Sequence, residues 1–159
     1  MIEWQHKMAK AICLSNLQDI LAAYFAKEGI HSFAVTYYNQ HTKTGNKLLY
    51  DWVSHALKPW HDYYLEEGFA DIDRTLETAE RSLLPVFWDV HEQLLAAKNK
   101  RERRIREESI RYGHDKGLSI TIFGPQGDFI VCALHQRLNE QGLNNWTGAI
   151  KTAVNTFKP

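Results

Sequence analysis

The chain has 159 residues with 44% hydrophobic side chains, and this length predicts one domain that encloses a core and a small internal cavity. Its 19 Lys and Arg residues balance 19 Asp and Glu residues, so no overall field attracts nucleic acid or an anionic membrane. No segment approaches the roughly 18 apolar residues of a membrane span, and two distant cysteines, Cys13 and Cys132, fit a reduced cytoplasmic protein better than a disulfide framework.

The first part of the chain changes from a helical to a strand pattern. Ile2 to Leu14 predicts a first helix, and Ser15 with Gln18 forms a capping-box pattern that predicts the start of a second. The second helix is expected to end at Gly29. From Ser32 to Asn39 the period is two, which predicts a strand. One face of this strand holds Phe33, Val35 and Tyr37, and the other holds Ala34, Thr36 and Tyr38.

A turn, a strand and a helix are predicted next. The polar segment 41–46 contains Gly45 and predicts the turn, after which Lys47 to Asp51 returns as a strand. A helix follows at once. Pro59 suits its first turn because proline has no N–H to donate, and Gly68 lies near its end.

Aromatic and acidic side chains in and after this helix have the spacing of a binding site. Trp60 and Tyr64 are four residues apart and share one helix face, and Asp73 and Trp88 follow along the chain. An indole N–H, a phenol and a carboxylate between apolar walls suit a small amphipathic molecule with an amide or ester head. Two simpler interpretations stay open: the aromatic pair packs in the core, and Asp73 caps a helix.

The segments around these residues are less regular. Asp71 to Glu80 is acidic and predicts an irregular stretch that holds Asp73 and Thr75. The apolar run from Leu83 to Trp88 predicts a buried strand. Its alternation places on one face Leu84, Val86 and Trp88.

The second half predicts a long helical region and a hairpin. Asp89 to Tyr112 is long enough for two helices, and its charges alternate at helical spacing, as in Arg103 with Glu107, Arg104 with Glu108, and Glu107 with Arg111. The interleaved glutamates of segment 98–106 favour a solvated surface over a DNA contact. Leu118 to Phe123 and Asp128 to His135 flank a Gly-Pro-Gln-Gly turn, which predicts a hairpin.

A closing amphipathic helix is predicted from Leu143 to Phe157, with the beginning of a linker at Lys158 and Pro159. About five strands joined by hairpins or helices predict an α/β fold. We expect an α-β-α sandwich with one antiparallel sheet and helices on both faces.

Five positions resemble a family signature. This chain resembles the autoinducer-binding domain of LuxR-type quorum-sensing regulators in the order and spacing of five residues, which are Trp60, Tyr64, Asp73, Trp88 and Gly117. The resemblance spans nearly the whole chain and implies the same sandwich, with a ligand between the sheet and the helix of Trp60. It implies a binding domain over residues 1–157, a linker beginning at 158–159, and a C-terminal helix-turn-helix domain that is absent from this chain.

The resemblance implies an N-acyl homoserine lactone as ligand, with no other cofactor. The Trp60 indole N–H would then donate to the lactone carbonyl, and Asp73 would accept from the amide N–H. Tyr64 and Trp88 would form the pocket walls around the lactone ring and the acyl chain, and Thr75 would contribute a hydroxyl group to the pocket. The candidate ligand-binding residues are Tyr38, Trp60, Tyr64, Asp73, Thr75, Trp88 and Ala133.

The chain departs from the family pattern at positions that bear on the ligand. Ala56 replaces a frequent tyrosine and Ala133 a frequent hydroxyl residue, so both usual donors to the acyl carbonyl are missing. Arg74 and Thr121 stand where prolines are usual. Either the ligand differs, or a substitute donor comes from water or from Tyr38, Tyr50 or Tyr63.

The leading hypothesis is a signal-sensing domain that binds an autoinducer, forms a homodimer and contacts DNA only through a domain outside this chain. The chain would be part of a longer regulator or a naturally short one that sequesters a full-length partner. An alternative is a sensor of the same fold with another small apolar signal. A hydrolase using Cys132 and His135 is disfavoured, because residues three apart on a strand face opposite sides. The histidines show no zinc-ligand spacing.

Overall fold

The computed structural model describes residues 2–41 and 45–137. Its helices and strands are α1 (Ile2–Ala9), α2 (Leu14–Lys27), β1 (Ser32–His41), β2 (Gly45–Val53), α3 (Lys58–Glu66), a 3-10 helix (Phe69–Asp71), α4 (Arg74–Ala79), β3 (Val86–Asp89), α5 (Val90–Leu95), α6 (Lys100–Arg111), β4 (His114–Phe123) and β5 (Asp128–Arg137). The predicted closing helix and linker lie outside these residues. Within them, every helix is too short or too polar to cross a bilayer.

The five strands form one antiparallel sheet in the order β2-β1-β5-β4-β3. The pairs β1–β2 and β4–β5 follow one another along the chain, whereas β1 and β5 come from opposite ends of the described region. The predicted hairpin is confirmed, with Gly127 at a positive φ of 79° in its turn. The predicted antiparallel sheet is therefore confirmed.

One face of the sheet is covered by α2. Phe25 and Ile30 pack there against Phe33, Leu118 and Leu134 from three strands. As predicted, α2 ends just before Gly29, which has a φ of 74°.

The opposite face is covered by the helices from α3 to α6. Leu57, Trp60, Phe69 and Ile105 are buried there against Ala34. Because neighbouring residues of a strand face opposite sides, Phe33 and Ala34 of β1 belong to the two different cores. The predicted sandwich with helices on both faces is confirmed.

The N-terminal helices differ from the sequence prediction. The first ends at Ala9 rather than Leu14, and α2 begins at Leu14. Cys13 takes the N-cap position in an extended conformation, and its carbonyl accepts from the Leu17 N–H at 3.1 Å. The capping box at Ser15 is therefore wrong, because Ser15 already lies inside the helix.

The stretch predicted as irregular is helical. Asp73 caps α4, since its side chain accepts from the Thr75 N–H. The following strand begins at Val86, and Leu83 and Leu84 are 85% and 53% exposed rather than buried. The Ser82 hydroxyl bonds both the N–H and the carbonyl of Leu84, which holds this backbone in a local turn instead of the sheet.

The long helical region divides into α5 and α6, as its length allowed. The Asn99 side chain caps α6 by accepting from the N–H groups of Arg101 and Glu102. Of the predicted charge pairs, Arg103 with Glu107 forms at 3.8 Å. The other two arginines form ion pairs with glutamates other than the predicted ones. Arg104 pairs with Glu67, and Arg111 pairs with Glu108.

Candidate functional site

A cavity of about 100 Å³ lies between the sheet and the helical layer of α3, α4 and α6. All seven residues proposed from the sequence line it: Tyr38, Trp60, Tyr64, Asp73, Thr75, Trp88 and Ala133. The cavity is also lined by polar residues that were not predicted as site residues, which include Thr36, His61, Arg106, Ser109, Ser119 and His135. The fold therefore brings the candidate residues together and adds basic and hydroxyl groups.

Asp73 is the polar centre of the cavity wall. Its Oδ1 accepts from the Thr75 backbone N–H at 2.9 Å and from the Arg106 guanidinium at 2.7 Å. Its Oδ2 accepts from the Tyr64 hydroxyl at 3.0 Å. A carboxylate has about four acceptor positions, so one position remains on Oδ2. Asp73 is thus both the helix cap of the simpler interpretation and a group that a ligand can reach.

Arg106 reaches the cavity from α6, and its side chain is only 9% exposed. Helical spacing puts Ile105 and Ser109 on the same inward side, while Arg103 and Arg104 remain exposed. The sequence signal was weak, because Ile105 and Ser109 are the main breaks in a run of charges. The prediction that segment 98–106 lies on a solvated surface is therefore wrong for Arg106, although Arg103 and Arg104 are exposed.

Burial moves the pKa values of the cavity tyrosines further above physiological pH. It raises the pKa of Tyr64 well above its usual value, and the neighbouring Asp73 carboxylate adds to the shift. Burial also raises the pKa of Tyr38. Both side chains are therefore phenols at physiological pH and present hydroxyl groups rather than charges.

The Trp88 ring packs closely against Gly117, its partner across β3 and β4. A Cβ atom at Gly117 would be 2.1 Å from the Trp88 ring and 2.4 Å from the Leu134 carbonyl oxygen, closer than atoms can approach. The Trp88 indole N–H donates to the Ser119 hydroxyl at 3.2 Å. Only glycine, which has no Cβ atom, therefore leaves room for the Trp88 ring at this place in the cavity wall.

Thr75 connects the cavity to α5. Its hydroxyl oxygen accepts from the Gln93 side chain at 2.9 Å. The Thr75 hydroxyl hydrogen can still be donated, because a hydroxyl group is both donor and acceptor.

Of the three tyrosines proposed as substitute donors, only Tyr38 lines this cavity. Tyr50 accepts from the Gln18 side chain, and Tyr63 accepts from Arg104 at 3.0 Å. Ala133 contributes only a methyl group to the wall.

Two other departures from the family pattern have structural roles. Arg74 pairs with Glu102 at 3.2 Å, which connects α4 to α6. The Thr121 hydroxyl donates to the Ala79 carbonyl at 2.8 Å and connects β4 to the end of α4.

His135 and Cys132 lie on opposite faces of β5. His135 lines the cavity, whereas Cys132 packs against the core under α2. Burial raises the pKa of the Cys132 thiol to about 12, so the thiol is protonated and a poor nucleophile. The hydrolase alternative therefore has neither the geometry nor the ionisation that it needs.

His135 is held in its neutral form. Burial lowers its pKa well below the usual value, with contributions from His114 and His61. The centroids of the His135 and Trp88 rings are 4.9 Å apart, with the rings edge to face. The His135 Nδ1 has no hydrogen-bond partner in the described part of the chain.

The His135 environment predicts a pH-dependent stability. Below about pH 6.5 the unfolded state binds a proton on His135 that the folded state does not, so stability falls by about 1.4 kcal/mol per pH unit from this group. His135→Gln should remove that contribution in urea unfolding between pH 7.5 and 5. The same change at the exposed His31 is the control and should leave the slope as in the wild type. Equal slopes in the wild type and His135→Gln would contradict the prediction.

A family model described as the autoinducer binding domain matches residues 14–150. The chain belongs to this family. Autoinducer-binding domains bind a small-molecule signal and belong to LuxR-type transcription factors, which are not enzymes. The match contains all seven candidate residues. Among residues 2–41 and 45–137, no group of three His, Cys, Asp or Glu side chains could hold a metal ion.

Solved structures of LuxR-family regulators share the fold. CepR2 from Burkholderia cenocepacia, described as an N-acylhomoserine lactone dependent transcription factor, has a TM-score of 0.73 at 14% identity, over 88% of this chain and 78% of its own. Escherichia coli SdiA has a TM-score of 0.71 at 11% identity, over 88% and 56%. SdiA in complex with octanoyl-rac-glycerol has a TM-score of 0.61 at 12% identity, over 85% and 50%. This chain therefore spans about half the length of SdiA. A search of curated protein sequences found no match.

Proposed function

We propose that this autoinducer-binding domain takes an N-acyl homoserine lactone in the cavity between sheet and helices. The observation that carries the proposal is the acceptor position left on Asp73 Oδ2, at the wall of an otherwise largely apolar cavity. The amide N–H of the ligand needs one acceptor, and a carboxylate can only accept. A buried amide N–H without this partner costs about 1–3 kcal/mol, so Asp73 orients the ligand.

The remaining walls suit the rest of the molecule. The Trp60 indole N–H has no acceptor among the described residues and is available for the lactone carbonyl. Tyr64 and Trp88 offer flat apolar surfaces to the ring and the acyl chain, and Thr75 and Tyr38 offer hydroxyl groups. Homodimerisation, and DNA binding by a domain beyond residue 157, are parts of the same proposal. The description of CepR2 as a transcription factor supports the DNA-binding part.

A second candidate ligand is a fatty-acid ester of glycerol. SdiA, a protein of the same fold, is described in complex with octanoyl-rac-glycerol. Such an ester has no amide N–H, but a glycerol hydroxyl can donate to Asp73 in its place. Both candidates combine a hydrogen-bond donor, a carbonyl group and an apolar tail.

Thermal unfolding with a ligand panel tests the proposal. A ligand at about 100 times its Kd stabilises a folded protein by roughly 2.7 kcal/mol, which corresponds to about 5–10 °C in Tm for a domain of this size. We expect such a rise with at least one lactone of hexanoyl to dodecanoyl chain length. Trp60→Phe should reduce it at the same ligand concentration.

The matched control is Trp52→Phe, because Trp52 packs on the opposite face of the sheet, against Phe33. It should keep the ligand-induced rise of the wild type. A rise with 1-octanoyl glycerol and none with any lactone would favour the second candidate. Sedimentation velocity with and without the stabilising ligand would test the dimer.

A further inference from the structure

Arg106 is a buried cation with few partners. The whole residue is 7% exposed, and only one of its five N–H donors, on the nitrogen that contacts Asp73, has an acceptor among the described residues. The Arg106 nitrogens without an acceptor are not among the fully enclosed unpaired polar atoms of the described residues, so they keep accessible surface where Arg106 lines the cavity. Since Arg106 lines the cavity, a bound molecule can supply the missing acceptors.

The charge balance indicates what kind of acceptor fits. Asp73 neutralises Arg106 at 2.7 Å, and the nearby His135 is neutral. A carboxylate on the ligand would add an unbalanced negative charge to a buried site, which is costly. A neutral oxygen acceptor satisfies Arg106 without this cost.

The geometry of a secondary amide indicates where that oxygen lies. A trans amide points its N–H and its carbonyl oxygen in opposite directions. If the ligand amide donates to Asp73, its own acyl oxygen points away from the carboxylate. An oxygen on the third acyl carbon is different, because rotation about single bonds can turn it to the N–H side, where Arg106 contacts the same carboxylate.

We propose that Arg106 selects acyl homoserine lactones with an oxygen on the third acyl carbon by donating to that oxygen. The inference rests on the proposed function and makes it more specific. Asp73 would then accept from the amide, and Arg106 would donate to the 3-oxo oxygen. Hydrogen bonds to charged groups contribute enough for a 3-oxo preference of about 10- to 100-fold in Kd.

Titration calorimetry with N-(3-oxooctanoyl) and N-octanoyl homoserine lactone tests this proposal. The wild type should bind the 3-oxo compound about 10- to 100-fold more tightly, and Arg106→Gln should reduce that ratio to below about threefold. The control is the same substitution at Arg104, which lies on the same helix but is half-exposed and paired with Tyr63 and Glu67. Arg104→Gln should keep the wild-type ratio.

The outcomes separate the two levels of the argument. Equal wild-type binding of both compounds would overturn the role of Arg106 and leave the proposed function standing. Binding of neither, together with no thermal stabilisation by any lactone from hexanoyl to dodecanoyl, would overturn both. A preference that survives Arg106→Gln would also overturn the role of Arg106.

A second measurement uses the wild-type protein, in case Arg106→Gln does not fold. The infrared stretch of a 13C-labelled 3-oxo group should shift to lower frequency on binding, relative to the same ligand in an apolar solvent. No shift would overturn the inference.

Discussion

Asp73→Ala is expected to reduce the free energy of unfolding by about 3–5 kcal/mol. The substitution removes the partner of a buried guanidinium, and an uncompensated buried charge is strongly destabilising. It also removes the cap of α4, which contributes about 1 kcal/mol of the loss. Urea unfolding followed by circular dichroism measures the difference.

A double-mutant cycle isolates the Asp73–Arg106 pair. Arg106→Met alone should also be destabilising, but Asp73→Ala with Arg106→Met should cost clearly less than the sum, because no charge is then left unpaired. Asp62→Ala is the control. Its ion pair with Lys58 has the similar length of 2.8 Å but lies on the surface, so the loss should be at most about 1 kcal/mol. Additive losses in the cycle would contradict the prediction.

Gly117→Ala is expected to destabilise the fold by about 1–3 kcal/mol and to displace Trp88. The new methyl group would overlap the indole ring, and the Leu134 carbonyl on the other side is backbone that cannot move aside cheaply. Urea unfolding gives the loss of stability. The near-ultraviolet circular dichroism of the tryptophans reports the displaced ring.

Gly68→Ala is the comparison for this prediction. Gly68 has a φ of 63°, but a Cβ atom there would meet its nearest neighbour, Arg101, only at 3.8 Å. That substitution measures backbone strain without a clash and should cost roughly 1–2 kcal/mol with an unchanged tryptophan signal. An unchanged tryptophan signal in Gly117→Ala as well would show that the steric argument is wrong.

The sheet and its two helical layers were predictable because they depend on local periodicity. The alternation around Phe33 and the helical spacing of Trp60 and Tyr64 can each be recognised within a short segment of sequence. The boundaries were less predictable, since they depend on single side chains. Ser82 keeps Leu83 and Leu84 out of the sheet by bonding backbone groups that a strand would otherwise use.

The polar half of the site was only partly predictable. Asp73 is predictable as a site residue through the family resemblance, since the residue pattern alone leaves a helix cap equally open. Arg106 is not predictable, because it is outside that signature and its partner is 33 residues away. Nothing within α6 distinguishes Arg106 from the exposed arginines beside it, except the neighbouring Ile105 and Ser109. The environment of a buried charge is a tertiary property, and one sequence does not contain the contact that decides it.

The strand order has a consequence for how the domain folds. The cavity floor is the pairing of β1 with β5, where the Thr36 hydroxyl donates to the Val131 carbonyl, 95 residues further along the chain. Each hairpin closes a short loop, but this central pairing closes a long one and is the slower event. The cavity therefore exists only after the two hairpins have joined. A molecule that occupies this cavity would bind the joined sheet and not the separate hairpins, so it would stabilise the joined state.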